Sequence, residues 1–278
     1  MPLKVPSALC CMSETVKYRR GGAFLEREKR RERELNENQL EGRNAVLEVL
    51  RSGRDIEKIM VQKGNVEGTI KRIVAQAAEK GVVIQEVSRQ KLDELSQTKN
   101  HQGVIALVSA HDYVEVEDIL AAARAKGEDP FIILLDGITD PHNLGAILRT
   151  AECAGAHGVI IPKRRSVGLN ATVGKTSAGA IEYMPVAKVT NLVKTMEQLK
   201  KEGLWFACAD MGENDHFDTN LKGPIGLVIG NEGDGVSRLV KEKCDFVASI
   251  PMKGEIDSLN ASVAAGVLAY EIVRQRIG

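Results

Sequence analysis

From Phe131 onward, one pattern repeats and sets the architecture of this chain. Short apolar runs give way to a polar or glycine-rich loop, and each loop opens into a stretch of helical periodicity. Strands are predicted over 131–135, 158–161, 205–209, 225–229 and 246–250, and helices over 145–154, 190–201, 237–241 and 259–275. Strands without inside-outside alternation, separated by helices, predict a parallel sheet covered on both faces. By pattern alone this is an open doubly wound α/β sheet, with ligands bound outside the carboxyl ends of its strands.

Three strand–loop–helix passages carry the chemistry. In the first, the buried strand ends in Asp136-Gly137-Ile138-Thr139-Asp140-Pro141-His142-Asn143, and the following helix carries Arg149. Asn143 stands where a helix N-cap is expected. Arg149 lies on an otherwise apolar helix, so it faces water or an anionic partner. In the second, Leu227-Val228-Ile229 opens into Gly230-Asn231-Glu232-Gly233-Asp234-Gly235. Glycines there admit a close backbone approach. The passage has neither a dinucleotide fingerprint nor a phosphate-loop lysine, and Glu232 would repel a triphosphate. A tight strand–helix turn explains it equally well. In the third, residues 250–270, a strand ends at Pro251 and a polar loop follows. Ser258 or Asn260 then begins a helix rich in small residues (Ala261, Ala264, Ala265, Gly266), which alone reads as a capped, closely packed helix.

Taken together and in this order, the three passages resemble those of the SpoU (TrmH-like) family of RNA ribose 2′-O-methyltransferases. The resemblance spans residues 131–276. The first half joins it through Glu41-Gly42-Arg43-Asn44-Ala45-Val46 and Asn100-His101-Gln102-Gly103-Val104, which are similar to the small ribosomal-protein-like RNA-binding domain of that family. The arrangement looks closest to members that methylate a guanosine ribose in 23S rRNA. This likeness implies a SPOUT-type fold, in which 225–230 and 250–260 form a deep trefoil knot that holds S-adenosylmethionine. No sequence rule would predict a knot. The implied donor-contacting positions are Ile229, Gly230, Asn231, Ile250, Met252 and Leu259. The implied catalytic set is Asn143, Arg149, Glu232, Ser258 and Asn260, with Arg149 nearest the reacting hydroxyl. A homodimer across this region is implied as well, and no metal.

The first half reads as an α/β/α unit with a small sheet. Helices are predicted over 45–50, 68–80 and 89–95, and strands over 56–61, 82–87 and 104–108. The expected organisation is a disordered basic tail over 1–39, an RNA substrate-binding domain over 40–109, a linker over 110–129 and a methyltransferase domain over 130–278. Lys and Arg number 38 against 38 Asp and Glu, so the chain is no polycation. A nucleic-acid binder of this composition must concentrate its cations locally. Arg19, Arg20, Lys29, Arg30, Arg31 and Arg33 do so in the tail, although Glu26, Glu28, Glu32 and Glu34 interleave with them.

The five cysteines form no CxxC pair or zinc spacing, which points to buried thiols in a reducing cytoplasm. No apolar run reaches membrane-spanning length. Two other readings compete. One is a tRNA rather than an rRNA methyltransferase, and the other is a non-catalytic RNA-binding ribosome-assembly factor. The joint presence of Asn143, Arg149, Glu232, Ser258 and Asn260 speaks against the second. A nicotinamide dehydrogenase is a poor fit without a dinucleotide fingerprint.

Overall fold

A computed structural model describes residues 38–278 except 53, 65–67, 213–214 and 232. The tail expected over 1–39 therefore lies outside the described residues up to position 37. Its last residue, Gln39, belongs to a strand, β1 (Gln39–Glu41).

The first unit continues with α1 (Arg43–Ser52), β2 (Ile56–Gln62), α2 (Thr69–Glu79), β3 (Ile84–Val87), α3 (Arg89–Leu95) and β4 (Val104–Val108). Its sheet runs β1-β4-β2-β3. Periodicity placed its helices because Val46, Leu47, Val49 and Leu50 of α1 and Ile70, Ile73 and Ala77 of α2 face one shared core. Gly81, at φ 65°, ends α2 as the sequence predicts.

Three residues of β1 carry too little pattern to be seen in sequence, and the strand exists because its neighbours complete it. It pairs antiparallel with β4, and the Glu41 carboxylate ties the 96–98 turn to it. Partial burial would raise the Glu41 carboxyl. Hydrogen bonds from Thr98, Gln97, Ser96 and Gln39 outweigh that and hold it at about 2 instead of 4.5. A carboxyl depressed in the folded state stabilises above its unfolded value, so this contribution is lost as pH falls from 4.5 toward 2. Urea midpoints measured across that window should drop more steeply for the native chain than for Glu41→Gln. Parallel curves would remove this role from Glu41.

Residues 110–129 are not an open tether. They contain α4 (Val116–Lys126), a helix whose modest apolar stripe is masked in sequence by its alanines and charges. Ile119, Leu120 and Ala123 are buried, and Ile119 packs so closely on Gly158 that a side chain at 158 would overlap it. Glu57 of β2, Tyr113 and Lys188 form a largely buried cluster joining the two units. Glu57 accepts hydrogen bonds from the Tyr113 hydroxyl and the Lys188 ammonium, and Tyr113 accepts one from the Leu169 amide at 2.9 Å. Desolvation and the Glu57 charge push the Tyr113 hydroxyl far above its usual range, so it stays a donor.

The second unit comprises β5 (Phe131–Asp136), α5 (Pro141–Cys153), β6 (Gly158–Pro162), α6 (Ala171–Thr176), β7 (Val186–Val189), α7 (Leu192–Lys201), β8 (Trp205–Ala209), β9 (Ile225–Gly230), α8 (Arg238–Lys241), β10 (Phe246–Ala248) and α9 (Ala261–Ile277). The six strands run β10-β8-β9-β5-β6-β7, all parallel. Successive residues of β5 point to opposite faces. Phe131, Ile133 and Leu135 join the core beneath α5 and α9, while Ile132 and Leu134 join the one beneath α4 and α7. This two-sided burial is why the strands read as unbroken apolar runs. The sequence misses α6 and β7, which are short and lie among glycines. Among the described residues, no helix is long and apolar enough to cross a membrane.

Candidate active site

The carboxyl ends of β8, β9 and β10 converge on a cleft of about 310 Å³, within the range that suits a drug-sized ligand. Its walls include Ile229, Gly230 and Asn231 at the end of β9, Ser249, Ile250 and Met252 after β10, and Ser258, Leu259, Ala261 and Ala264 around the start of α9. All six predicted donor-contacting positions line it.

Local structure explains the shape of this cleft. Asn231 and Gly235 exchange backbone hydrogen bonds of 3.2 and 3.1 Å, and Asn231 Oδ1 accepts the Gly233 and Asp234 amides at 2.9 and 2.8 Å. The loop thereby folds back onto the end of its own strand. A Cβ on Gly230 would sit 2.0 Å from the Gly235 carbonyl carbon, so only glycine fits. Glycines and alanines make up much of the lining, with carboxylates at Asp210, Asp234 and Asp257. That surface suits a nucleoside carrying a thioether or sulfonium arm, whose adenine and ribose can be read by backbone groups. Ser258 also lines the cleft. Glu232 lies outside the described residues.

The remaining predicted residues divide into two groups. Asn143 is buried, and Asn260 Nδ2 donates to its Oδ1 at 3.0 Å, clasping α5 to the start of α9. Asn260 is the N-cap of α9, as expected, with Oδ1 accepting the Ser262 amide at 3.0 Å. Asn143 is not a cap. Asp140 fills that role, with Oδ1 accepting the His142 amide at 2.9 Å, and Pro141 starts the helix. A proline preset for the first helical position moves the start of α5 earlier than its apolar periodicity implied.

Arg149 is exposed and stands six residues after Asn143 in the same helix. At 3.6 residues per turn that is about 120° around the axis, so the two face different ways. Arg149 does not line the cleft of its own chain.

The sequence also missed Asp210, which follows β8 and lines the cleft. It pairs with Lys241 at 2.6 Å, and that hydrogen bond raises the Lys241 ammonium above its usual value. Its place just past a parallel strand was the available clue.

Comparison with known proteins agrees with this geometry. Residues 130–270 match the SpoU rRNA Methylase family, and residues 39–114 match the RNA 2′-O ribose methyltransferase substrate-binding family. The chain is 50% identical over 237 residues to YacO of Bacillus subtilis (strain 168), a protein named for the TrmH family of tRNA/rRNA methyltransferases. That match covers 84% of this chain and 94% of YacO. A similarly named protein of Staphylococcus haemolyticus is 47% identical over 236 residues, with the same coverage. The fold is shared with the SpoU methyltransferase AviRb of Streptomyces viridochromogenes, crystallised with AdoMet. The TM-score is 0.55 at 24% identity, over 86% of this chain and 90% of AviRb. An RNA 2′-O ribose methyltransferase structure aligns at TM-score 0.50 and 26% identity, over 86% of this chain and 89% of its own. This chain therefore belongs to the SpoU/TrmH family of RNA methyltransferases, enzymes that take their methyl group from S-adenosylmethionine.

Proposed function

We propose that this protein methylates a ribose 2′-hydroxyl of RNA, at a guanosine of large-subunit rRNA, as a homodimer with its donor site in a trefoil knot. The observation that carries the reading is the glycine- and alanine-rich cleft beside the Asn143–Asn260 clasp, in a chain that also carries a substrate-binding unit. When bound, S-adenosylmethionine supplies a methyl group already activated as a sulfonium. The ribose hydroxyl is a poor nucleophile, so the chain contributes placement and a path for the proton. Ile229, Gly230, Asn231, Ile250, Met252 and Leu259 hold the donor. Ser258 stands at its edge, and Asn143 and Asn260 brace the wall. Arg149 orients the hydroxyl. A guanidinium carries five N–H donors and no acceptor, which makes it a donor rather than a base. Glu232 is assigned to hold Arg149 or the ribose.

The dimer is supported by two observations. Val263, Val267 and Tyr270 leave an exposed apolar stripe along α9, being 50%, 37% and 51% accessible. Arg149 is exposed and does not line the cleft of its own chain, which leaves it free to serve a partner's site. The rRNA target is read from the first unit, which matches a ribose methyltransferase substrate-binding family over residues 39–114 and is similar to a ribosomal-protein-like RNA binder.

The test is methyl transfer from labelled S-adenosylmethionine to unmodified large-subunit rRNA and to tRNA transcripts. One alkali-resistant linkage in the rRNA, at a guanosine, is expected. Label on a base, or on tRNA alone, would overturn the proposal.

A further inference from the structure

The loop between β6 and α6 contains Lys163, Arg164 and Arg165, a cluster that the donor site does not use. It borders two further cavities. One, of about 510 Å³, lies between the two units and also exposes Lys58 of the first. The other, of about 590 Å³, lies along the carboxyl ends of β5 and β6. Thr139, Arg164 and Arg165 border both, and the second shares Asn231, Asp234 and Gly235 with the donor cleft. The three spaces therefore adjoin one another in a row from the first unit to the donor cleft.

Charge along this row is polarised. The interdomain cavity presents four cations, Lys58, Lys163, Arg164 and Arg165, and one carboxylate, Glu57. Glu57 is already bound by Lys188 and Tyr113. Arg164 and Arg165 are exposed and make no hydrogen bond or ion pair with any described residue. Arg165 sits at φ 59°, a left-handed backbone that a residue with a long side chain rarely adopts. Nearer the donor the cations are balanced by carboxylates, two of each around the second cavity, and the donor cleft itself is lined by Asp210, Asp234 and Asp257. Asp136 and Asp234 line the second cavity, and Asp136 Oδ2 accepts the Ser237 amide at 2.8 Å. An anion is thus favoured at the interdomain end and disfavoured beside the donor.

We propose that Arg164 and Arg165, with Lys58 and Lys163, grip the phosphates of the RNA strand flanking the target nucleotide, leaving the uncharged ribose to enter the donor end. Forked guanidinium groups match phosphate oxygens two at a time, and the absence of partners among the described residues leaves both forks available. The row ends at the Gly230 loop, which orders the strand from phosphate grip to methyl donor. The proposal rests on the RNA methylation reading above and adds the element that places the strand.

The test uses the full-length chain and a fluorescent unmodified large-subunit rRNA transcript. The variant is Arg164→Gln with Arg165→Asn, since asparagine tolerates the left-handed backbone. RNA affinity and the KM for RNA should each worsen about tenfold at low salt. The slope of log affinity against log salt should flatten by roughly 1.5, as expected for two lost phosphate contacts. Calorimetric affinity for S-adenosylmethionine should stay at the native value, which a merely unfolded variant would not allow. A charge-matched control, Lys201→Gln with Lys222→Gln, alters exposed cations that precede the amino ends of β8 and β9, away from the carboxyl ends where the cavities lie, and should leave the slope unchanged. A native slope in the arginine variant, or an equal loss in the control, would overturn the phosphate grip. If the native chain methylates no RNA, the functional proposal itself fails, which is a separate outcome.

Discussion

Gly230→Ala should abolish S-adenosylmethionine binding while leaving secondary structure in place. The added methyl would stand 2.0 Å from the Gly235 carbonyl carbon and 2.3 Å from the Val236 amide nitrogen. Both are backbone atoms, so no rotamer change relieves the overlap. The loop must open, and Asn231 must give up its two bonds to Gly235. Overpacking against backbone costs about 3 kcal/mol or more. If that strain falls on the donor-bound geometry, affinity drops at least about a hundredfold. Calorimetry on native and variant chains reads this directly, with circular dichroism checking the fold. A variant that binds S-adenosylmethionine at native affinity would show that the cleft beside Gly230 is not the donor site.

The second large effect is expected at Arg149. Arg149→Ala should retain donor affinity and native stability, because its side chain is exposed and buries no contact that folding needs. Methyl transfer should nevertheless fall about a thousandfold, the scale of losing a preorganised donor at the reacting oxygen. That is about 4 kcal/mol of transition-state stabilisation. Arg149→Lys should recover little of it, since an ammonium cannot reproduce the planar fork. The dimer adds a sharper form of this test. Mixing Arg149→Ala with Gly230→Ala chains should restore part of the activity if each cleft takes its arginine from the partner. In such a mixture one cleft keeps both an intact glycine loop and an intact arginine. No recovery in verified mixed dimers would place Arg149 with its own chain's cleft.

Legibility in the sequence followed burial. The strands of the second unit other than β7 show as apolar runs that mark them to within a residue or two. Helices with one buried face, such as α2 and α7, were equally visible. Elements whose existence depends on distant partners were not. The strand β1 is held by β4 and by the carboxylate of Glu41. The helix α4 has a stripe diluted by alanine and charge, and it looked like a connector until Gly158 was seen beneath Ile119.

The candidate site divides in the same way. Most of the donor cleft could be placed through the family resemblance, which rests on the passages 229–231 and 250–259, whereas the wall at Asp210 carries no such motif. The Asn143–Asn260 clasp could not, since it joins residues 117 positions apart. Asn143 was mistaken for a cap because the Pro141 effect on the helix start was not weighed. The arginines after β6 carry no motif, and only their place on the border of two cavities sets them apart.

The Glu57–Tyr113–Lys188 cluster has a consequence for what the molecule can measure. A substrate-binding unit on a slack chain would let the enzyme sample target riboses at many separations from the first point of grip. A largely buried ion pair, with a tyrosine hydroxyl closing it, instead fixes the span between the two units. It turns the protein into a caliper set to one length of RNA.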